Sequence, residues 1–210
     1  MEELILIGGG GHCKSVIDSL RKDDRFRIIG ILDKKEKVGT SINGVPIVGE
    51  DETLPYYFQN GVRHAFITLG SIGNIKGREK LYHMVKSIGF QLPVIIDPSA
   101  IISESAKIGE GTYVGKGAIL NIDVKVGKNC IINTGAIIDH DCQIGDFCHI
   151  APGTTLSGNV TIGYGSHIGT NSTVIQGIEI GSGTLIGAGS VVIKNIGSNQ
   201  KAYGNPCRVV

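Results

Sequence analysis

The residues best suited to acid–base chemistry lie close together in the second half of the chain. His140 is flanked by Asp139 and Asp141, and two further histidines, His149 and His167, follow. An imidazole titrates near neutral pH and can accept a proton, while a neighbouring carboxylate can fix its tautomer and stabilise its charged form. The pattern therefore indicates a proton-transfer site centred on His140, with either aspartate as its partner.

A six-residue repeat positions these side chains. An aliphatic residue occupies every sixth position from Ile96 to Val192, and the residue four places after each is uncharged and mostly small. This period is typical of a parallel β-helix, in which each hexad forms one short strand and one turn. Three hexads form one coil of 18 residues with its aliphatic side chains inside, and frequent glycines give the turns their backbone freedom.

The coil length predicts which positions lie above one another. His149 and His167 are 18 residues apart, so they should stack on one face, at solvent-facing or corner positions. Gly158 follows His140 by the same interval, so a glycine amide should lie beside the imidazole. That N–H is a candidate donor to an oxyanion that develops near His140.

The first part of the chain has a different pattern, typical of a small α/β domain. A strand over Leu4–Ile7 precedes the glycine loop Gly8–Gly11 and a helix from residue 12 to about 22, and a second strand ends at Asp33. A third strand at 65–69 precedes a helix over about 75–87, which predicts parallel strands. The predicted organisation is a Rossmann-like α/β domain (1–93), a β-helix (94–198) and a tail (199–210).

The whole chain resembles a known enzyme family. The period of six and the tail Tyr203–Arg208 are similar to hexapeptide-repeat acyltransferases, although Cys207 stands where the family's tail has alanine. The segment Asn133–His149, with an acidic–His–acidic triplet and a second histidine nine residues on, resembles the branch of NeuD-like sialic acid O-acetyltransferases and PglD-like bacterial UDP-4-amino-sugar N-acetyltransferases. The resemblance implies a left-handed β-helix, acetyl-CoA as co-substrate, and a homotrimer with active sites between prisms.

The resemblance also implies roles for single residues. His140 is the general base and Asp141 the carboxylate that orients it, while the chain's own residues leave Asp139 open as the partner. His149 contacts the thioester arm of acetyl-CoA, and the CoA-contacting column includes Thr170 and Ala188. The tail closes over the CoA groove.

The glycine loop is the predicted binding site for the acceptor. Loop N–H groups and a helix N-terminus can hold a diphosphate, and the domain is too short for a full two-half dinucleotide fold. A nucleoside-diphosphate sugar therefore fits, and the family's acceptor-binding positions correspond to Gly10, Gly11, His12, Asp33 and Lys34.

Three functions remain open at this level. The first is transfer of acetyl from acetyl-CoA to the amine of a UDP-4-amino-dideoxy sugar, and the second is the same transfer to a sugar hydroxyl, as in sialic acid O-acetylation. The third is a β-helix scaffold or a carbonic-anhydrase-like protein, which would need a cluster of three histidines around zinc.

Composition excludes several other classes. A net charge of +1 gives no basic excess for nucleic acid, and no stretch approaches the roughly 20 apolar residues of a membrane span. The first residues lack a basic segment typical of a secretory signal, and five cysteines are an odd number, so we expect free thiols and a cytoplasmic location. No histidine–cysteine spacing predicts a metal site.

Overall fold

The two sequence patterns correspond to two units in the computed structural model, which describes residues 1–210. The first unit comprises Met1–Gly70 and Lys76–Ile95, and the second comprises Ser71–Ile75 and Ile96–Val210. The short segment Ser71–Ile75 therefore belongs with the repeat, although it lies far from it in the sequence.

The first unit is a five-stranded sheet with helices. Its elements are β1 (Glu2–Ile7), α1 (Gly11–Leu20), β2 (Phe26–Leu32), β3 (Ser41–Ile42), β4 (Val45–Gly49), α2 (Leu54–Gln59), β5 (His64–Ile67) and α3 (Lys76–Ile88). The strand order is β3-β4-β2-β1-β5, and every pair is parallel except β3–β4. The parallel α/β domain is confirmed, and none of the helices is long and apolar enough to cross a membrane.

Hydrophobic runs explain the core of this unit. Leu4–Ile7 of β1 are all buried, as expected for a central parallel strand covered on both faces. Helix α1 buries Val16 and Ile17 on one side together with Cys13, which occupies the place of a small residue in the glycine-loop pattern. Burial raises the pKa of the Cys13 thiol to about 11, so this cysteine is a packing residue.

The repeat folds into 17 two-residue strands and a short tail ribbon. The strands are β6 (Ile95–Ile96), β7 (Ile101–Ile102), β8 (Lys107–Ile108), β9 (Tyr113–Val114), β10 (Ile119–Leu120), β11 (Lys125–Val126), β12 (Ile131–Ile132), β13 (Ile137–Ile138), β14 (Gln143–Ile144), β15 (His149–Ile150), β16 (Thr155–Leu156), β17 (Thr161–Ile162), β18 (His167–Ile168), β19 (Thr173–Val174), β20 (Glu179–Ile180), β21 (Leu185–Ile186) and β22 (Val191–Val192). The ribbon is β23 (Lys201–Tyr203) and β24 (Arg208–Val209), which pair antiparallel.

These strands form three sheets, the faces of a prism. The first face has the order β24-β23-β21-β18-β15-β12-β9-β6, the second β22-β19-β16-β13-β10-β7, and the third β20-β17-β14-β11-β8. The second residue of each strand points inward, as buried Ile138 and Ile150 do, and the first points outward. Each strand pairs with the residue 18 positions away, so the left-handed parallel β-helix is confirmed with the predicted period.

Candidate active site

His140 lies in a turn at the corner between the second and third faces. Its Nδ1–H donates a hydrogen bond to Asp141 Oδ2 at 2.8 Å, and 44% of the imidazole is exposed. Asp141 has a φ of 60°, a left-handed conformation that turns its carboxylate back onto the ring. With Nδ1 committed to the carboxylate, the neutral ring carries its free lone pair on Nε2.

The carboxylates around His140 favour its protonated form. The hydrogen bond from Asp141 raises the pKa of His140 above its ordinary value, and the charges of Asp139 and Asp141 add to the effect. Asp139 makes a different contact, because its Oδ1 accepts the main-chain N–H of His140 at 2.8 Å. The structure therefore pairs Asp141 with the imidazole and Asp139 with the backbone of the turn.

Gly158 lies directly beside the imidazole, one coil further on. A Cβ at this position would lie 2.5 Å from Nε2 of His140 and 2.4 Å from its Cε1, so only glycine leaves room for the ring. The Gly158 N–H makes no hydrogen bond within the chain. A base, its carboxylate and an unoccupied amide donor thus lie together, as the 18-residue interval predicted.

An open groove of about 630 Å³ runs beside this corner along the third face. Its polar lining includes His140, Asp141, Lys125, Gln143 and Asn159. The imidazole therefore borders a solvent-accessible space that can admit a polar substrate.

His149 lies on the first face, away from His140. Its Nδ1–H donates to the main-chain oxygen of Ser71 at 2.8 Å, and Asn133 Nδ2 lies 3.1 Å from its Nε2. His167 pairs with it in the next strand, and the two rings meet edge to face with centroids 4.8 Å apart. Thus the predicted stacking is confirmed, but one protomer does not bring His149 to the same corner as His140.

His167 is buried rather than solvent-facing, which corrects the sequence expectation. Only 8% of it is exposed, and its Nδ1 has no hydrogen-bond partner. Burial lowers its pKa to about 4, and the neighbouring His149 adds to the shift. The reason is that Ser71–Ile75 lies against this face, where a Cβ on Gly73 would come within 2.6 Å of Leu185.

The other predicted CoA contacts, Thr170 and Ala188, lie at the corner between the first and second faces. Both are exposed, and their turns stack directly, with the Gly189 N–H donating to the Thr170 oxygen at 2.8 Å. They share neither a face nor a corner with His140. A groove that used both sets of residues would need two prisms.

The first unit has its own cavity of about 320 Å³ at the carboxyl ends of β1 and β2. Asp33 and Lys34 line it, as predicted, but Gly10, Gly11 and His12 do not. These three residues lie at the start of α1, and a Cβ on Gly10 or Gly11 would meet no atom within 4 Å.

Asp33 organises the glycine loop. Its Oδ2 accepts the Gly9 N–H at 2.9 Å and the Lys37 ammonium at 2.8 Å, and its Oδ1 accepts the Lys34 N–H at 2.8 Å. Burial alone would raise the pKa of Asp33, but the hydrogen bonds from Lys37, Lys34 and Gly9 hold it below its usual range.

The sequence analysis missed the acidic side of this cavity. Glu50, Asp51 and Glu52 line it directly after β4. Burial raises the pKa of Asp51, and the negative charge of Glu52 adds to the effect. The signal was three acidic residues after a short β-branched run, at the carboxyl edge where parallel sheets bind ligands.

No group of three or more His, Cys, Asp or Glu side chains is arranged to hold a metal ion. All five cysteines are free and buried. Cys142, next to the Asp139–Asp141 turn, donates its thiol to the Ser157 oxygen at 3.1 Å, and burial raises its pKa. It is therefore a packing residue and not a nucleophile poised in the groove.

Comparison with known families accounts for both units. Residues 3–85 match the family described as the PglD N-terminal domain. Residues 123–158 match the bacterial transferase hexapeptide family, and residues 159–194 match the hexapeptide repeat of succinyl-transferase. A comparison with curated protein sequences found no significant match.

Solved structures similar to this chain come from sugar acetyltransferases. PerB from Caulobacter crescentus, in complex with CoA and GDP-perosamine, is 37% identical with a TM-score of 0.93, and the match covers 100% of this chain and 98% of PerB. A histidine-to-asparagine mutant of perosamine N-acetyltransferase from the same organism, with the same two ligands, gives 36%, 0.93, 100% and 97%. The acetyltransferase domain of PglB from Neisseria gonorrhoeae, with acetyl coenzyme A, gives 33%, 0.88, 100% and 99%.

Proposed function

Because the chain belongs to the PglD-like family of hexapeptide-repeat sugar acetyltransferases, we propose that it transfers acetyl from acetyl-CoA to the amine of a nucleotide-linked amino sugar. The observation that carries the proposal is the His140 corner. There an imidazole hydrogen-bonded to a carboxylate borders an open groove and an unoccupied glycine amide. Similarity over the full length to an N-acetyltransferase that binds CoA and GDP-perosamine supports an amine rather than a hydroxyl acceptor.

The reaction follows from the protonation state of His140. The sugar amine attacks the thioester carbonyl while Nε2 of neutral His140 takes the proton that the nitrogen loses. The Gly158 N–H donates to the oxyanion of the tetrahedral intermediate. The intermediate then collapses to the amide, the carbon–sulfur bond breaks, and the imidazolium returns the proton to the departing CoA thiolate.

Asp141 sets the conditions for this proton transfer. By accepting the Nδ1 proton it fixes the tautomer whose lone pair lies on Nε2, and it stabilises the imidazolium formed during attack. Because the contact raises the pKa of His140, the base is fully available only above the usual histidine range, so activity should rise with pH through neutrality.

The homotrimer belongs to the same proposal. The outward side chains of the second face are apolar at its amino-terminal end, where Ile101 is 65% exposed and Ile137 40% exposed. Covering such a face with neighbouring prisms would remove apolar surface from water. It would also let His149, Thr170 and Ala188 of one protomer serve the His140 corner of another, with CoA between them.

The cavity of the first unit is the proposed nucleotide site, and its chemistry bears on the base. Apolar Ile7, Leu32 and Leu69 can pack on a flat ring, while Asp51 and its acidic neighbours supply only hydrogen-bond acceptors. Guanine presents an adjacent ring N–H and amino group, whereas uracil presents one N–H between two carbonyl oxygens. The carboxylates therefore support a GDP-linked acceptor over the UDP-linked one that the sequence suggested.

One assay tests the function and the base together. Acetyl-CoA is incubated with GDP- and UDP-linked 4-amino sugars and with a matched sugar that carries a hydroxyl in place of the amine, and acetylated product is followed by mass spectrometry. We expect acetyl transfer to the amine and faster turnover of the GDP-linked sugar. Transfer only to the hydroxyl sugar, or to none of them, would remove the proposed function. We expect the reaction to take place in the cytoplasm, where acetyl-CoA is available, and sedimentation should give a trimer.

A further inference from the structure

Asn121 and Asp139 occupy the same place in two successive turns at the His140 corner. Each follows the inward residue of a second-face strand, and they are 18 residues apart. Asn121 Oδ1 accepts the Ile122 N–H at 2.8 Å, and Asp139 Oδ1 accepts the His140 N–H at 2.8 Å. Both side chains therefore fold back onto the next amide and fix the same kind of local turn.

A hydrogen bond across the coils joins these two turns. Asn121 Nδ2 donates to Asp139 Oδ1 at 2.8 Å, the same oxygen that holds the His140 N–H. The side chain that holds the main chain of His140 is thus itself held from the preceding coil. At the next coil Ser157 occupies the equivalent place and makes no such bond to Gly158, so the ladder ends at the amide that must stay free.

We propose that Asn121 is a positioning residue for the proton transfer at His140 and acts through Asp139. The inference rests on the proposed function of His140 as base. The imidazole is attached to its surroundings at two points, Asp141 at Nδ1 and Asp139 at the main chain, and only the first is on the ring itself. Releasing the main-chain point would let the ring and Asp141 swing together, and a displacement of about 1 Å at a reacting group can cost up to about a hundredfold in rate.

The residue types fit this role. The hydrogen bond from the His140 N–H lowers the pKa of Asp139, and the bond from Asn121 contributes to the shift, so Asp139 is a charged acceptor at neutral pH. Its partner must therefore be a donor. A carboxylate at position 121 would repel Asp139, whereas an amide can accept from Ile122 with its oxygen and donate to Asp139 with its nitrogen.

A purely structural role must be separated from a positioning role, and the prism offers a matched control. Asp146 Oδ1 accepts the Lys128 N–H at 2.8 Å, again across 18 residues, at a corner far from His140. N121A and D139N are compared with D146N for kcat, both KM values and the pH profile. We expect N121A to lower kcat about tenfold with both KM values within about twofold of wild type, and D146N to change neither.

The pH profile separates the hydrogen bond from the charge of Asp139. D139N keeps an acceptor for the His140 N–H but removes a charge that raises the pKa of His140, so its acid limb should move to lower pH. The exchanged pair N121D/D139N reverses the direction of the cross-coil hydrogen bond and moves the charge away from His140. We expect it to recover kcat to within about threefold of wild type while its acid limb stays at the D139N position.

Three results would overturn the inference. They are normal kcat in N121A, equal losses in N121A and D146N, and an exchanged pair that is trimeric but no more active than N121A. Failure of the proposed function looks different, because wild-type protein would then acetylate no amino sugar or H140A would remain active.

Discussion

Two histidine environments on the same prism differ in every respect that matters for chemistry. His140 is 44% exposed at a corner, hydrogen-bonded to Asp141, and its pKa is raised. His167 is 8% exposed on the first face, packed against His149, and burial lowers its pKa to about 4. One ring can take up a proton near neutral pH, and the other stays neutral.

The difference shows that position within the hexad decides what a histidine can do. Residues at the turn face solvent and can be given a charged partner, so proton transfer is supported there. Residues on the first face meet Ser71–Ile75, and a ring buried there is held neutral by desolvation. His149 is intermediate, since its Nδ1 proton is committed to Ser71 and its Nε2 faces Asn133.

Replacing His140 should give the largest effect. H140A removes the only imidazole at this corner, and we expect kcat to fall at least about a hundredfold with the trimer intact, because general-base catalysis contributes that much or more. Initial rates of CoA release and sedimentation measure the two quantities. Near-normal turnover would remove His140 from the mechanism.

His149 provides the matched comparison for this experiment. H149A should lower kcat by less than about tenfold and raise the KM for acetyl-CoA, because the ring is assigned to positioning the co-substrate. Losses of the same size in H140A and H149A, both confined to kcat, would contradict the distinction between the corner and the first face.

Filling the space beside the base should have the next largest effect. In G158A the new methyl would lie 2.4 Å from Cε1 of His140, so the ring must move and the amide loses its alignment. We expect kcat to fall about 30-fold, within the range for losing an oxyanion donor or misplacing a base. G197A is the control, since a Cβ there meets no atom within 4 Å, and a similar loss in both variants would mean a general effect on the prism.

Removing the charge beside His140 should sharpen the comparison through pH. D141N keeps a side chain that tolerates the left-handed φ of 60° but no longer accepts the Nδ1 proton as a carboxylate does. The pKa of His140 should fall, so the acid limb of kcat/KM moves to lower pH, and kcat at its plateau should drop about tenfold. An unmoved limb would show that Asp141 does not control the protonation of His140.

The sequence predicted the relations that the repeat imposes and missed those that it does not. The 18-residue interval placed Gly158 beside His140 and stacked His149 on His167, because the covalent period fixes both pairs. It could not show that Ser71 contacts His149, since no periodic signal connects residue 71 to the prism. That contact is what turned an expected solvent-facing column into a buried one.

The same limit applies to the first unit. The glycine loop was identified, but the tight positions are Gly8, with a φ of 101°, and Gly9, where a Cβ would lie 2.6 Å from Asp33 Oδ2. Gly10 and Gly11 have open space instead. Strand β4 and the acidic residues after it escaped prediction because two- and five-residue strands give too short a pattern to count.

The buried member of the comparison should be visible in stability rather than activity. The pKa of His167 is about 4 in the folded chain, against an ordinary value of 6.5, so the unfolded chain takes up this proton first as the pH falls. The folded state should therefore lose up to about 1.4 kcal/mol per pH unit from this group between pH 6.5 and about 4, and nothing above neutral pH. H167L should lessen the pH dependence of the denaturation midpoint in that window, whereas H83L, at an exposed helix position, should leave it as in wild type. Equal pH dependence in wild type and H167L would show that the ring is solvated in the folded protein, and the contrast with His140 would then not rest on burial.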